Sequence, residues 1–506
     1  MFRKRRIVIV GGGFSGSSTA VQLVRRSPAA LDITVVEPRE RIGGGLANSS
    51  DDPDHRLNAQ PRIHNIDPLD EGMFERWCEA HGALVADPAA RLPNDTVFFR
   101  RAVFRQFVEA TVAEHAAWHT GSSIRHLRDR VIDVVPGENS MTVVTTGNTK
   151  LDCDLVVLAP GHTRARLPAE FKPELDHHAR VLVDPLAAPR LPALPSTERV
   201  LVLGSGLTAY DIVSSLIATG HRGPIDVVSR KGLRPRRQQP RVRGQAPPSV
   251  LERVSAPPEP FIVGAGNPPT VRALLRAVRL RIREVEAAGK TWDQPFIHLR
   301  DMATQLWPGM PSAEKRRFFR HLRTFYDAHR FRVAPQNKTI VEEAESRGQV
   351  HFRAASLARI ETDDANAPIR IALRPRGTDA IEESVYDRVI NCTGVDSTHP
   401  ADVPLYAALL ARDMISVDPS SVGLAVDAYS RALARDGTAA ARLRIIGPPT
   451  IGARGDIRGS PWISIQVHRM IPDVLAVLGI AGDGEPAGSY VRTRTADRRT
   501  AALERS

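Results

Sequence analysis

The sequence predicts an α/β fold built on two parallel β-sheets. In the first half of the chain, the short apolar run Ile7–Val10 leads into glycines, a helical stretch over Ser15–Arg26 and a second apolar run at Ile33–Val36. The same order returns when Val200–Leu203 is followed by glycines, a helical stretch and Ile225–Val228. Strand, glycine turn, helix and strand form a βαβ unit, so the chain is predicted to hold two of them.

The first glycine turn follows its strand directly and has the spacing G-x-G-x-x-G. It reads Gly11-Gly12-Gly13-Phe14-Ser15-Gly16. Gly11 allows the tight turn, Gly13 lets a pyrophosphate approach the backbone, and Gly16 lets the helix pack on the sheet. Glu37 ends the second strand, where a carboxylate accepts hydrogen bonds from ribose hydroxyls and disfavours a 2′-phosphate. We therefore expect a Rossmann-like domain that binds FAD.

The second glycine turn is a G-x-G-x-x-A variant, with Gly204, Gly206 and Thr208 facing the phosphates. No acid follows its second strand, and the chain instead reads Ser229-Arg230-Lys231. A hydroxyl and two cations are suited to a 2′-phosphate, which predicts NAD(P)H with NADPH favoured over NADH. The alternative is that these cations only begin a basic surface loop.

Two further strands end in glycine turns, one downstream of each unit. Leu155–Leu158 continues through Ala159 to Gly161, and Arg388–Asn391 continues through Cys392 to Gly394. Ligands of doubly wound sheets lie at the carboxyl ends of such strands, so Ala159, Gly161 and Gly394 are candidate binding residues. Cys392 is expected to be a small buried apolar residue rather than a redox thiol.

Composition limits the remaining classes. The 506 residues carry a net charge of +12, with arginines spread along the chain, and no nucleic-acid-binding module is evident. The three cysteines form no C-x-x-C pair, which argues against a dithiol reductase and favours a reducing, cytoplasmic location. The sequence has no stretch of ~18 apolar residues, so no membrane span is predicted. It also has no His or Cys residues at metal-ligand spacing, so no metal site is predicted.

Between and after the two units, composition predicts four segments. Gln239–Asn267 is rich in Pro, Gly and Arg and predicts a loop, whereas Val271–Ala288 and Ala313–His329 predict helices. The basic run from His329 to Arg332 is interpreted as a solvated helix end, with binding of an acidic ligand as the alternative. Residues 485–506 predict a loose tail.

Several of these stretches together resemble the bacterial FAD/NAD(P)-binding oxidoreductases of the YdhS-like type and, more distantly, flavin monooxygenases with two dinucleotide-binding folds. The resemblance rests on nine segments: Ile42–Ala47, His55–Asn58, Phe99–Phe107, Gly204–Asp211, Gly220–Pro224, Ser229–Leu233, His329–Pro335, Asn391–Gly394 and Ile446–Thr450. It implies that Gly45, Leu46, Asn58 and Gly447 lie near the flavin.

The resemblance also implies an architecture and an activity. The FAD domain is expected to be discontinuous, from residues 1–165 and 390–480, with an NAD(P)H domain of residues 195–390 that contains a helical segment. The expected activity is monooxygenation of a small nitrogenous or heteroaromatic substrate. A flavin-dependent dehydrogenase or reductase serving a protein or quinone acceptor is one alternative, and a non-catalytic nucleotide-sensing module is another. The sequence identifies no catalytic residue and no oligomeric state.

Overall fold

The computed structural model describes residues 3–163, 165–187, 190–239, 248–394 and 398–480. The strands within these residues are β1 (Arg5–Val10), β2 (Leu31–Val36), β3 (Ser123–Leu127), β4 (Val131–Pro136), β5 (Met141–Thr145), β6 (Lys150–Cys153), β7 (Leu155–Leu158), β8 (Val181–Leu182), β9 (Val200–Leu203), β10 (Ile225–Ser229), β11 (Val350–Glu361), β12 (Ile369–Pro375), β13 (Glu382–Tyr386), β14 (Arg388–Asn391), β15 (Arg431–Leu433) and β16 (Ala439–Ile445).

Helices connect and cover these strands. They are α1 (Phe14–Arg26), α2 (Gly45–Asn48), α3 (Met73–Ala80), α4 (Ala83–Ala86), α5 (Arg101–Glu114), α6 (Leu207–Ala218), α7 (Val250–Ser255), α8 (Pro260–Val263), α9 (Val271–Ala287), α10 (Gln294–Gly309), α11 (Ser312–Arg317), α12 (Arg323–Arg330), α13 (Pro335–Ser346), α14 (Pro404–Ala411), α15 (Ile451–Arg454) and α16 (Ser460–Val477). The predicted tail, residues 485–506, lies outside the described residues.

The first sheet combines strands from both ends of the chain. Its order is β15-β16-β7-β1-β2-β3, and every pairing is parallel except that of β15 with β16. Because β15 and β16 follow all strands of the second sheet, the chain leaves the first sheet after β7 and returns to it later. Helices α1 and α16 pack against each other beside this sheet.

The second sheet has the order β13-β12-β11-β10-β9-β14-β8. Its core, from β11 through β8, is parallel, whereas β12 and β13 add an antiparallel edge. In each sheet, the strand before the glycine turn lies between the next strand of its unit and a later strand: β1 between β2 and β7, β9 between β10 and β14. Parallel strands buried on both faces are expected to be continuously apolar, as β7 and β9 are.

The helical segment between the second βαβ unit and α13 differs in part from the prediction. Helix α9 confirms the helix predicted at Val271–Ala288. The predicted Ala313–His329 helix is instead α11, a π-helical turn at Phe318–Leu322 and α12. The loop prediction for Gln239–Asn267 is wrong where α7 and α8 form, since capping by Ser249 and a proline at the start of α8 favour short helices there; residues 240–247 lie outside the described residues.

The helical segment also joins the two sheets. The indole Nε1 of Trp307 on α10 donates to the carbonyl oxygen of Gly452 on α15 at 2.7 Å. The guanidinium of Arg330 at the end of α12 pairs with Asp456, which precedes α16. The segment therefore packs on the part of the chain that returns to the first sheet.

Candidate dinucleotide-binding sites

The first glycine turn is held against a neighbouring strand by backbone contact. Gly11 has φ +102°, and a Cβ there would lie 2.4 Å from the carbonyl oxygen of Ala159, the residue that follows β7. A Cβ on Gly16 would lie 1.9 Å from the carbonyl oxygen of Gly11. The positive φ of Gly11 agrees with the tight turn predicted there, and the closeness of Gly16 to Gly11 and to Ile9 on β1 agrees with the predicted packing of the helix on the sheet.

Helix α1 begins immediately after this turn with free N–H groups. Its N-cap is Gly13, which has no side chain to cap the helix, and the first turn carries no acidic residue. An uncapped helix N-terminus suits an anion. Phe14 is buried on Phe104, with ring centroids 5.6 Å apart, so it anchors the start of the helix.

A second turn packs directly on Gly13. A Cβ on Gly13 would lie 3.2 Å from the Cα of Gly45, and Gly45 itself has φ +57°. Gly447, with φ +82°, approaches the same helix, because a Cβ there would lie 2.4 Å from the hydroxyl oxygen of Ser15. The structure thus brings Gly13, Ser15, Gly45 and Gly447 together, although they come from three distant parts of the chain.

Glu37 is buried at the end of β2 and already holds the glycine turn. Its Oε2 accepts a 2.8 Å hydrogen bond from the N–H of Gly12, and its Oε1 accepts from the backbone N–H and the guanidinium of Arg39. A carboxylate offers about four lone-pair positions, so one remains for a ribose hydroxyl. The contact with ribose stays a prediction, and the structure adds a positioning role that the sequence did not reveal.

The second glycine turn repeats the geometry of the first. Gly204 has φ +94°, and a Cβ there would lie 2.4 Å from the carbonyl oxygen of Cys392, which follows β14. Gly206 is the N-cap of α6, whose first turn also lacks an acid. Thr208 lies in that first turn. A Cβ on Gly206 would meet no described atom within 4 Å, so this helix N-terminus opens onto free space.

The residues at the end of β10 and just after it differ in whether their side chains are free to bind a ligand. The hydroxyl of Ser205 lies 2.6 Å from the carbonyl of Leu233 and 2.8 Å from the hydroxyl of Ser229. Ser205 is the donor in both contacts, and the Ser229 hydroxyl also accepts from the backbone N–H of Gly232 at 3.2 Å. Lys231 donates to Thr324 at 3.0 Å. Arg230 is exposed and forms no hydrogen bond or ion pair with the residues described, which leaves it available for the predicted 2′-phosphate contact.

The other candidate residues lie around these turns. Gly161 and Gly394 follow β7 and β14 with φ +77° and +97°, and neither would place a Cβ near a described atom. Leu46 is half-buried on α2. Asn58 accepts a hydrogen bond at its backbone carbonyl from the side chain of Gln238, which comes from the second unit.

A buried ion pair connects the two units. The guanidinium of Arg101, the first residue of α5, donates to Asp211 on α6 at 2.5 Å and to the carbonyl of Ala47 at 3.0 Å. The two side chains are 14% and 5% exposed. Asn337 donates to Asp211 and to the carbonyl of Asp54. The sequence pointed to Arg101 and Asp211 only through family resemblance and gave no sign that they meet.

The cysteines and the basic helix end have clear environments. Cys78, Cys153 and Cys392 are free and buried, and burial raises the pKa of each thiol. This agrees with a packing role for Cys392. The solvated interpretation of the His329–Arg332 run is wrong for Arg330, whose side chain is 13% exposed and pairs with Asp456. Such a long-range partner leaves no local sequence signal.

A known protein family is similar to the first unit. Residues 8–163 match the model of a protein family described as FAD-NAD(P)-binding. This stretch contains the first glycine turn, Glu37 and Gly161, and it confirms the resemblance over these residues. No curated protein matches the chain by sequence.

Solved structures match nearly the whole chain at low sequence identity. An ornithine hydroxylase from Pseudomonas aeruginosa is 15% identical with a TM-score of 0.64, covering 94% of this chain and 100% of its own. The ornithine N-hydroxylase of Kutzneria sp. 744 is 16% identical with a TM-score of 0.62, covering 94% and 99%. A cadaverine monooxygenase from Erwinia amylovora is 13% identical with a TM-score of 0.61, covering 98% and 100%. The predicted α/β fold, with a discontinuous first domain and an inserted second one, is therefore confirmed.

No helix among the described residues is both long and apolar enough to cross a membrane.

Proposed function

We propose that this protein is an FAD-dependent oxidoreductase that uses NAD(P)H, and that it acts as a monooxygenase on a small nitrogenous substrate. The observation that carries the proposal is the repeated glycine turn. In both sheets a glycine with positive φ lies against the carbonyl oxygen of the residue that follows a third strand. An uncapped helix N-terminus comes directly after each of these glycine turns. We call each glycine turn, together with the helix N-terminus that follows it, a cradle. Two cradles in one chain fit two dinucleotides.

The residues present fit FAD at the first cradle and NAD(P)H at the second. Gly11–Gly16 would face the FAD pyrophosphate, and Glu37 would accept from the ribose. Gly204–Thr208 would face the NAD(P)H pyrophosphate, and Arg230 would reach a 2′-phosphate. When both are bound, the nicotinamide supplies hydride to the flavin, which passes electrons to oxygen or another acceptor.

The chain's own groups orient the cofactors toward each other. Arg101 and Asp211 fix the turn at Ala47 against α6, so the distance between the two cradles is fixed. We assign the FAD-binding part to residues 1–165 and 390–480 and the NAD(P)H-binding part to residues 195–390. Three buried, unpaired thiols support a cytoplasmic location.

The monooxygenase assignment is supported by fold likeness to two ornithine hydroxylases and a cadaverine monooxygenase. The names of those proteins refer to ornithine and cadaverine, which are small nitrogen-containing molecules. The rival assignment, a reductase that serves a protein or quinone, uses the same two cradles and differs only in the acceptor.

The test begins with the purified protein and its flavin. Heat-released flavin is identified by mass, and NADPH or NADH is added without oxygen while the flavin absorbance is followed. Gly13→Val is expected to lose flavin, because its side chain enters the 3.2 Å gap to Gly45. Gly309→Ala is the matched control, since a Cβ there meets no described atom within 4 Å. Full flavin content in Gly13→Val would refute the first cradle.

Oxygen is then readmitted to the reduced protein. A monooxygenase is expected to oxidise NADPH faster with small amines or heteroaromatic compounds present and to incorporate labelled oxygen into the product. Faster turnover with a quinone or a redox protein, without labelled product, would assign the chain to the reductase class instead.

A further inference from the structure

A cluster of guanidinium groups lies where the helical segment meets the start of α16. We call it the guanidinium cluster; its members are Arg253, Arg300, Arg323, Arg330 and Arg458, with the carboxylates Asp301, Asp327 and Asp456. Every arginine in it has an acidic partner within 4.0 Å. Among the described residues, five guanidinium groups against three carboxylates leave two positive charges uncompensated in a largely buried place.

Arg330 is held rigidly inside this cluster. Its Nε donates to Asp456 Oδ2 at 2.7 Å, and its guanidinium carbon lies 4.6 Å from the centre of the Trp462 ring. Among the contacts of the described residues, its two Nη groups have no hydrogen-bond partner. A planar guanidinium fixed at Nε and supported by an aromatic ring presents a free fork that matches a carboxylate.

Two further buried donors beside this fork also lack partners. Neither Trp462 Nε1 nor Arg458 Nε has a hydrogen-bond partner within the described part of the chain, although Trp462 is only 3% exposed. A buried donor without an acceptor carries a desolvation penalty that an incoming anion removes. The surplus charge and the unpaired donors therefore indicate the same kind of ligand.

The guanidinium cluster lies where a substrate would bind, and not at either glycine turn. Asp456 and Arg458 follow Gly447 by a few residues, and Ser460 contacts His64, whose ring packs on Phe104. On the other side, the carbonyl of Ala328 on α12 accepts from the N–H of Arg236, after β10. Helix α12 thus lies between the first cradle's return segment and the second cradle's loop.

From this arrangement we infer that Arg330, supported by Trp462 and Arg458, binds a carboxylate of the substrate. The inference rests on the proposed function, because it assigns the substrate class of the same enzyme. It makes the substrate a small acid that also carries the nitrogen or ring on which the oxidation acts. A hydrogen-bond donor on that acid would satisfy Asp456 Oδ1, which is buried without a partner among the described residues.

The test measures anion binding directly by calorimetry with the purified, flavin-loaded protein. Acetate and benzoate are titrated as probes, with acetamide and benzamide as their neutral counterparts. At least one carboxylate is expected to bind ten times or more tightly than its amide. Arg330→Lys keeps the charge but loses the fork, and is expected to weaken that carboxylate roughly ten- to hundredfold.

Two variants separate binding from structure. Trp462→Phe keeps an aromatic ring beside Arg330 but removes the Nε1 donor, which has no partner among the described residues, so it should weaken the carboxylate about tenfold while the variant still folds and keeps its flavin. Arg199→Lys is the matched control: Arg199 also pairs with an aspartate, Asp226 at 2.9 Å, and lies 4.9 Å from the centre of a tyrosine ring, but outside the cluster. It should leave carboxylate binding unchanged.

The outcomes that overturn the inference are distinct from those that overturn the proposed function. Failure of both carboxylates to bind, or equal losses in Arg330→Lys and Arg199→Lys, would make the cluster purely structural. Competition of NADP⁺ with benzoate, with NADP⁺ affinity equally lost in Arg330→Lys, would assign the fork to a coenzyme phosphate. Absence of flavin from the wild type would refute the proposed function, while the same titration of the flavin-free protein would still report on the cluster.

Discussion

Removing either partner of the buried Arg101–Asp211 pair should destabilise the protein strongly and loosen the connection between the cradles. Asp211→Leu leaves the guanidinium of Arg101, 14% exposed, without its acidic partner. Arg101→Met leaves Asp211, 5% exposed, with a 3.4 Å contact to Asn337 as its one remaining side-chain hydrogen bond among the described residues. Breaking a buried pair on one side costs about 3–5 kcal/mol of unfolding free energy, because an uncompensated charge stays buried.

The double variant Arg101→Met/Asp211→Leu tests whether the pair itself is responsible. Each single change should lower the unfolding free energy by about 3–5 kcal/mol, whereas the double change should lower it by less than their sum. A charged hydrogen bond suggests a difference of about 1.5–3 kcal/mol. Urea unfolding followed by circular dichroism gives the three values, and flavin reduction by NADPH should slow in each single variant.

The exposed pair of Arg125 and Asp32 provides the control. Arg125 is 66% exposed, so Arg125→Met should change the unfolding free energy by less than about 1 kcal/mol. Additive effects of Arg101→Met and Asp211→Leu, within about 0.5 kcal/mol, would refute the argument, since they would mean that the two residues contribute independently.

The remaining predictions concern single positions. Gly206→Ala places its Cβ in open space, so it should keep flavin content and Tm but raise the KM for NADPH about tenfold; an unchanged KM would mean that no pyrophosphate approaches there. Arg230→Ala should raise the KM for NADPH by about 10- to 150-fold, equivalent to roughly 1.5–3 kcal/mol, and leave NADH nearly unaffected; equal losses with both coenzymes would contradict the 2′-phosphate contact. Cys392→Ser should keep flavin reduction within a few-fold, because burial raises the pKa of the thiol and keeps it protonated; loss of turnover in a folded, flavin-loaded variant would restore a redox role. Burial lowers the pKa of His64 to about 4 from 6.5, so the unfolded chain binds the proton first and stability should fall by about 3 kcal/mol between pH 6.5 and 4; His64→Gln should remove that part of the acid loss, and an unchanged pH profile would contradict it.

The glycine turns were predictable from the sequence because their signals are local. An apolar run, a fixed glycine spacing and a helical stretch occupy consecutive residues, and β9 has the predicted bounds. The same locality explains why the helix at Val271–Ala288 could be predicted from its own residues.

The contacts between distant segments were not predictable in this way. Arg330 and Asp456 lie 126 residues apart in the sequence, and no residue beside either one indicates that the two side chains pair. The packing of Gly45 on Gly13 is similar, because the glycine pattern explains the pyrophosphate but not the turn that closes over it. Capping by Ser249 was a local signal that the Pro- and Gly-rich composition of its surroundings concealed.

The matching contacts of Gly11 with Ala159 and of Gly204 with Cys392 have a genetic consequence. In both, the first glycine would place its Cβ 2.4 Å from a backbone carbonyl oxygen and not from a side chain. Position 159 is an alanine and position 392 a cysteine, so the neighbouring side chain can vary while the glycine cannot. A change in that side chain does not displace its own carbonyl oxygen. Selection for suppressors of Gly11→Ala or Gly204→Ala should therefore yield true revertants and no compensating substitution at 159 or 392.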